Sequence, residues 1–245
     1  MQFPASKQPD QPAAAPGVAA PDRQWLSSRL FTIGHSNHPI ERFLELLFQA
    51  EVGVIADVRS SPFSQRFLQF NQSLLRQELE RASVRYIFLG DELGGRPREP
   101  AVYDAEGRVD YWRVRRTPYF RSGLDRLLAE LARQTVAMVC AEEDPLDCHR
   151  ALMVCADLAE QGICPRHVRG DGTIETTEKL EERLFSITGV GGGMMGGLFA
   201  ATISAEERAE LLTEAYKAQA RRKAFRLPPG QGFGAIENFQ EYAAE

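Results

Sequence analysis

The stretch CAEEDPLDCHR, residues 140 to 150, gathers two thiols, an imidazole, a guanidinium and four carboxylates. Asp144, Pro145 and Asp147 are helix-start residues, so Cys148, His149 and Arg150 are expected in a first helical turn. Exposed amides and the helix dipole favour an anion there. Two chemistries fit. Cys148, beside His149 and Arg150, is a candidate nucleophile with a depressed pKa. Alternatively, Arg150 and the turn amides hold an anionic substrate and Cys148 only packs. The acids Glu142, Glu143 and Asp144 weigh against a strongly activated thiolate. A zinc site is the weaker reading, because the C-x7-C-H spacing fits none of the usual short ligand pairs and adjacent Cys and His side chains are expected to point apart. No metal ligand is assigned, and Cys155 and Cys164 read as packing residues.

Comparable groups follow the other apolar runs. GHSNH brings Gly34, His35 and Ser36; DVRSSPFS brings Asp57, Arg59 and Ser60; GDELGGRPR brings Asp91, Glu92, Gly94, Gly95 and Arg96; and His167 lies in a later run. The candidate catalytic residues are therefore Cys148, His35, Asp57 and Glu142. The candidate substrate contacts are Ser36, Arg59, Glu92, Gly94, Gly95, Cys140, His149 and Arg150. Asp57 with Arg59 also fits a structural ion pair, and Gly94–Gly95 fits a simple turn.

The elements that must position these groups alternate. Strands are predicted at LFTIG (30–34), VGVIADV (52–58), VRYIFL (84–89), TVAMVC (135–140) and RHV (166–168). Helices are predicted after Pro39, with Ile40, Phe43, Leu44, Leu47 and Phe48 as one apolar stripe, and at 71–82, 118–133 and 147–162, with a helical turn at 177–185. Alternating strands and helices with near-continuous apolar strands predict an α/β fold: a mostly parallel sheet with helices on both faces, Rossmann-like and three-layered. In such sheets ligands bind outside the strand carboxyl ends, where all five polar loops fall. The insert 90–117 shows no clear element. Its Arg96, Arg98, Arg113, Arg115 and Arg116, interleaved with Tyr103, Tyr111, Trp112 and Tyr119, suit phosphates and stacked bases.

The domain reading is a Pro/Ala-rich disordered tail (1–28), a core (29–188), a glycine-rich hinge (189–198) and a C-terminal helix with an irregular tail (199–245). The helix is opened by a capping box from Ser204 to Glu207. The chain has 245 residues, a formal net charge of −5 and 43% hydrophobic residues, as soluble globular proteins do. The balance argues against a surface coated for nucleic acid. Its bases are 25 Arg against 4 Lys, and Arg is the better planar partner for phosphate and carboxylate. Four cysteines make no disulfide framework, no run is long enough to span a membrane, and no signal peptide is read. A cytoplasmic protein is expected.

TIGHSN, DVRSSPFS, LGDELGGRP and CAEEDPLDCHR, followed by RHV and DG, resemble the Domain of Unknown Function 488 family from about Phe31 to Glu182. The resemblance implies that Gly34, His35, Ser36, Asp57, Arg59, Glu92, Gly94, Cys140, Glu142, Cys148, His149 and Arg150 are family motif residues. It implies no activity. VIADVRS and the segment from VAMVC to AEQGI also resemble the aspartate strand and cysteine loop of rhodanese-type sulfurtransferases, although the loop after Cys140 is longer and acidic. The expectation is an enzyme acting on a small anionic or nucleotide-like ligand, its cofactor unknown. The alternatives are a non-catalytic nucleotide- or nucleic-acid-binding module, or sulfurtransferase-like thiol chemistry.

Overall fold

The computed structural model describes residues 22–192 and 203–228. Most of the expected tail, most of the glycine hinge and the last seventeen residues lie outside the described residues. Among the described residues the sheet has six strands: β1 (Leu30–Gly34), β2 (Val54–Asp57), β3 (Arg85–Phe88), β4 (Val136–Cys140), β5 (Arg166–Val168) and β6 (Ile174–Glu175). Their order is β3-β2-β4-β1-β5-β6, with only the last pair antiparallel. The three-layer α/β arrangement is as expected. The order itself is not the doubly wound dinucleotide sequence 3-2-1-4-5-6.

Strand residues alternate between two apolar layers, as the period of two requires. Phe31, Ile33, Ile55, Ala137 and Val139 face α2 (Ile40–Gln49) and α3 (Gln72–Arg81). Leu30, Val54, Ala56, Val136 and Met138 face α6 (Pro118–Leu131), the segment 150–160, α8 (Thr177–Thr188) and α9 (Ala205–Lys223). In α2 the buried face is Phe43, Leu46 and Leu47; Phe48, placed in the sequence-derived stripe, is exposed. A stripe centred on Leu46 and Leu47 leaves Phe48 turned outward.

β1 and β4 are neighbours, yet α2, which follows β1, lies in one layer, and the helix that follows β4 lies in the other. The two loops leave in opposite directions and open a crevice between them, the place where open α/β sheets bind ligands.

Three local readings change. Residues 23–28, assigned to the tail, fall in α1 (Arg23–Arg29), with Asp22 as its cap. The insert 90–117 is ordered by short elements: α4 (Gly90–Leu93), a 3-10 turn at Pro100–Val102, a bridge between Tyr103 and Val109, and α5 (Tyr111–Val114). The helix expected over 147–162 is a 3-10 turn (Pro145–Asp147), then a π-helix (Arg150–Cys155), then α7 (Ala156–Glu160). α9 has its capping box and docks on the core, burying Ala215, Tyr216, Gln219 and Ala220. Gln219 Nε2 donates to the Leu146 carbonyl at 2.9 Å, and Lys223 pairs with Asp147. The appendage is therefore a wall of the core.

Candidate active site

The crevice holds a cleft of about 660 Å³, within the usual range for small-molecule sites. It is bordered by the loops after β1, β2 and β4, by Gly95 and Arg96 of the insert, by Lys223 at the end of α9 and by Phe225 beyond it. Two backbone approaches define its floor. His35 and Ser36 donate main-chain N–H bonds to the carbonyls of Cys140 and Ala141, both at 2.9 Å. A Cβ on Gly34 would stand 1.9 Å from the Glu142 carbonyl oxygen, so only glycine lets these loops cross. Ser36 has φ of 47°, a left-handed conformation uncommon outside glycine and often stored at functional sites.

At the end of β4, Cys140 Sγ borders the cleft and donates to Glu142 Oε2 at 3.0 Å. His149 Nε2 donates to the Val58 carbonyl at 2.9 Å, which leaves Nδ1 turned inward, 3.8 Å from Cys140 Sγ and 3.7 Å from Cys148 Sγ. The expectation that Cys148 and His149 point apart is overturned. Cys148 is extended (φ −133°, ψ 143°) and His149 helical (φ −57°, ψ −27°), and the change of backbone between them swings both donors to one side.

Burial pushes the Cys140 thiol well up, and neighbouring Cys148 and Glu142 add to it. Burial would raise Glu142 too, but His149 and the two thiols outweigh it and hold the carboxyl down at about 2. Burial opposes charge on His149, yet Cys140, Glu142 and the Val58 carbonyl raise its pKa. Cys140 is thus a protonated thiol bonded to a carboxylate.

The other expected residues are placed unevenly. Asp57 is fully buried behind the cleft. Its carboxylate accepts from Arg59 Nε and Nη2, at 2.9 and 2.6 Å, and from Tyr86 Oη at 2.8 Å. Arg59 passes on to the Phe70 carbonyl and to His35 Nε2. His35 stacks on Phe70 and donates from Nδ1 to the Ser36 carbonyl. Burial and the charge of Arg59 lower its pKa to about 4, so it is a neutral acceptor at neutral pH. The chain Asp57–Arg59–His35 braces the wall, and Asp57 is not turned to a ligand.

Arg150 is the clearest correction to the expected anion pocket. It is 1% exposed, and its fork donates to the carbonyls of Glu142 and Glu143 at 2.6 and 2.8 Å, away from the cleft. Glu92 pairs with Arg126 on α6 and also faces away. Gly94 packs on Ser60 behind the cleft edge, while Gly95 borders it against the His149 ring. Cys148, the expected nucleophile, lies behind Cys140 and does not border the cleft. Ser36, Arg59, Cys140, Glu142 and His149 do.

Sequence reasoning missed Phe63, Arg66 and Phe67 after β2, and Lys223 and Phe225 at the far end of the chain. The signal for the first three was an aromatic–basic–aromatic run directly after a strand-end loop. In the insert, Arg115 is buried against Asp157 and Glu160, and Arg113 pairs with Asp110, so Arg96 is the insert arginine that reaches the cleft.

Fold and site together define a three-layer α/β protein whose crevice brings two thiols, an imidazole and a carboxylate to one corner. Residues 39–156 match the family model described as Domain of unknown function DUF488, so this part of the chain is similar to that uncharacterised family. The match runs from α2 to the start of α7, so the Gly34–Ser36 motif and β5 lie outside it. No curated protein and no solved structure matches the chain. Among the described residues no helix is long and apolar enough to cross a membrane.

Proposed function

We propose that the cleft is the active site of an enzyme acting on a small nucleotide-like anion, with the reaction at the corner formed by Cys140, Glu142 and His149. One observation carries this reading. Arg66 and Arg96 border the cleft and, among the described residues, form no ion pair with a carboxylate, whereas Arg59 and Arg150 are held by protein groups. Arg66 lies over Phe67 and Arg96 over Phe225, so each guanidinium is kept at an aromatic rim. Phe63 is 46% exposed beside them. An exposed Phe63 ring beside two guanidinium forks without a carboxylate partner suits a stacked base and its phosphate. The hydroxyls of Ser36, Ser60, Ser61 and Ser64 add polar partners along the same wall.

Equilibrium titration with nucleoside mono- and diphosphates, inorganic phosphate and a short single-stranded oligonucleotide tests this. A nucleotide should bind best, and Arg96→Ala should weaken it about tenfold or more without changing the melting temperature, the loss of one charge-assisted bond being about 1.5–3 kcal/mol. Binding of the oligonucleotide alone would favour a non-catalytic binding module. Binding unaffected by both Arg66→Ala and Arg96→Ala would overturn the site. A sulfurtransferase reading needs a thiolate at Cys140 with no cation beside it, and the Glu142 carboxylate bonded to that sulfur stands against one.

A further inference from the structure

We infer that Cys140, Cys148 and His149 form a binding site for one divalent ion of the zinc class, with its open position facing the cleft. This goes beyond the ligand reading above and does not depend on it. Cys140 Sγ, Cys148 Sγ and His149 Nδ1 all lie within 4.8 Å of one another. A tetrahedral zinc with Zn–S of about 2.3 Å and Zn–N of about 2.0–2.1 Å places S and N ligands about 3.6 Å apart. The two S–N separations here are 3.8 and 3.7 Å. Both S–N pairs are therefore already spaced as ligands of one ion, and the two sulfurs lie within 4.8 Å of each other.

The surroundings match what such a centre needs. A metal-bound imidazole usually donates its other ring N–H to a carbonyl or carboxylate, which fixes the tautomer and aims the ligating nitrogen. His149 Nε2 does this to the Val58 carbonyl at 2.9 Å. The Arg150 main-chain N–H donates to Cys148 Sγ at 3.4 Å, as backbone amides do to ligating sulfur. Gly95 leans on the His149 ring so closely that a Cβ would lie 2.7 Å from its Cγ, which keeps the imidazole from rotating away. Two sulfurs and one imidazole nitrogen favour zinc over magnesium or calcium, which take oxygen ligands.

Three protein ligands leave a fourth position, the arrangement of a catalytic rather than a structural zinc. Cys140 and His149 border the cleft, and Cys148 closes the set from behind. The exchangeable position therefore opens towards the Glu142 carboxylate. A water there would lie beside the Glu142 carboxylate, an acceptor that can orient it, and the two thiols would serve as ligands instead of nucleophiles. Zinc-bound water ionises near neutrality, which suits hydrolysis of a bound anion.

The test uses the full chain, expressed with zinc in the medium and purified with reductant and without chelator. Native mass spectrometry and elemental analysis should give about one zinc per chain. Wild-type protein stripped by a chelator should gain two reactive thiols and lose them again when zinc is restored, a readout that needs no variant. Cobalt(II) in place of zinc should show a thiolate-to-metal charge-transfer band. That band should disappear in Cys148→Ser and His149→Gln and persist in Cys164→Ser. Equal metal content in all variants would overturn the site, as would a wild-type protein with four reduced thiols and no metal. A mass deficit of two hydrogens without metal would overturn it in favour of a Cys140–Cys148 disulfide. Nucleotide titration of the same samples separates the two proposals: zinc bound with no nucleotide affinity removes the ligand reading, and the reverse removes the metal.

Discussion

Arg150 holds the backbone of Glu142. Nη1 donates to the Glu142 carbonyl at 2.6 Å while Nη2 donates to that of Glu143 at 2.8 Å. The arginine therefore sets the direction of the Glu142 side chain without touching the cleft. Arg150→Lys keeps the charge but cannot reach both carbonyls with a planar fork. It should lower stability by about 1.5–3 kcal/mol, seen as an earlier thermal transition. An Arg150→Lys protein that melts like the wild type would show the fork to be dispensable.

Gly34→Ala would place a Cβ 1.9 Å from the Glu142 oxygen. The loop after β4 must then move, at a cost of about 1–3 kcal/mol. Unfolding in denaturant should report this destabilisation, and ligand binding should fall with it because Cys140 and Glu142 shift together. A neutral Gly34→Ala would mean the crossing is looser than the structure shows.

Burial and the Arg59 charge lower His35 to about 4, and burial with the charge of Arg150 lowers His167 to about 3. In the unfolded chain both take a proton near 6.5. Between about pH 6.5 and 4 the unfolded state therefore binds more protons than the native state, and stability falls as pH falls. The slope should approach two protons, at most about 2.7 kcal/mol per pH unit. Glu142 and Asp144, both lowered, add their loss only below about 4.5. His149, whose pKa is raised, contributes fully below about 6.5 and loses its share at higher pH. Denaturant midpoints flat from pH 6.5 to 5 would contradict neutral, buried His35 and His167.

Gln219 reaches from α9 to the Leu146 carbonyl in the turn that precedes Cys148. Gln219→Leu leaves that buried oxygen without its partner, a loss of about 1–3 kcal/mol. The melting temperature should drop while α9 stays helical by circular dichroism, its capping box being untouched. No drop would show that the helix docks through Tyr216 and its apolar neighbours alone.

Central strands were legible because parallel strands buried on both faces read as continuous apolar runs: β1 falls where LFTIG does, and β2 and β4 within two residues of expectation. The insert 90–117 was not, because α4 and α5 are four residues each, too short for a helical period to register. The strand-end rule located the site, but residue type does not tell direction. Arg59 and Arg150 looked like anion ligands and are turned to Asp57 and to loop carbonyls. Cys148 and His149 converge only because the backbone changes region between them. Lys223 and Phe225 lie far along the chain from RHV and DG, beyond the reach of local reading.

The π-helix Arg150–Cys155 fixes the phase between Cys148–His149 on one side and α7 on the other. A π turn carries one residue more than an α turn. Deleting a single residue from 151–155 would remove that extra residue and let the segment relax to α geometry, with Cys148–His149 and α7 keeping their relative phase. The same deletion inside a regular helix such as α6 would turn everything before it by about 100°. The π turn is thus the one place in this segment where the chain can lose a residue without turning the donors away from Cys140.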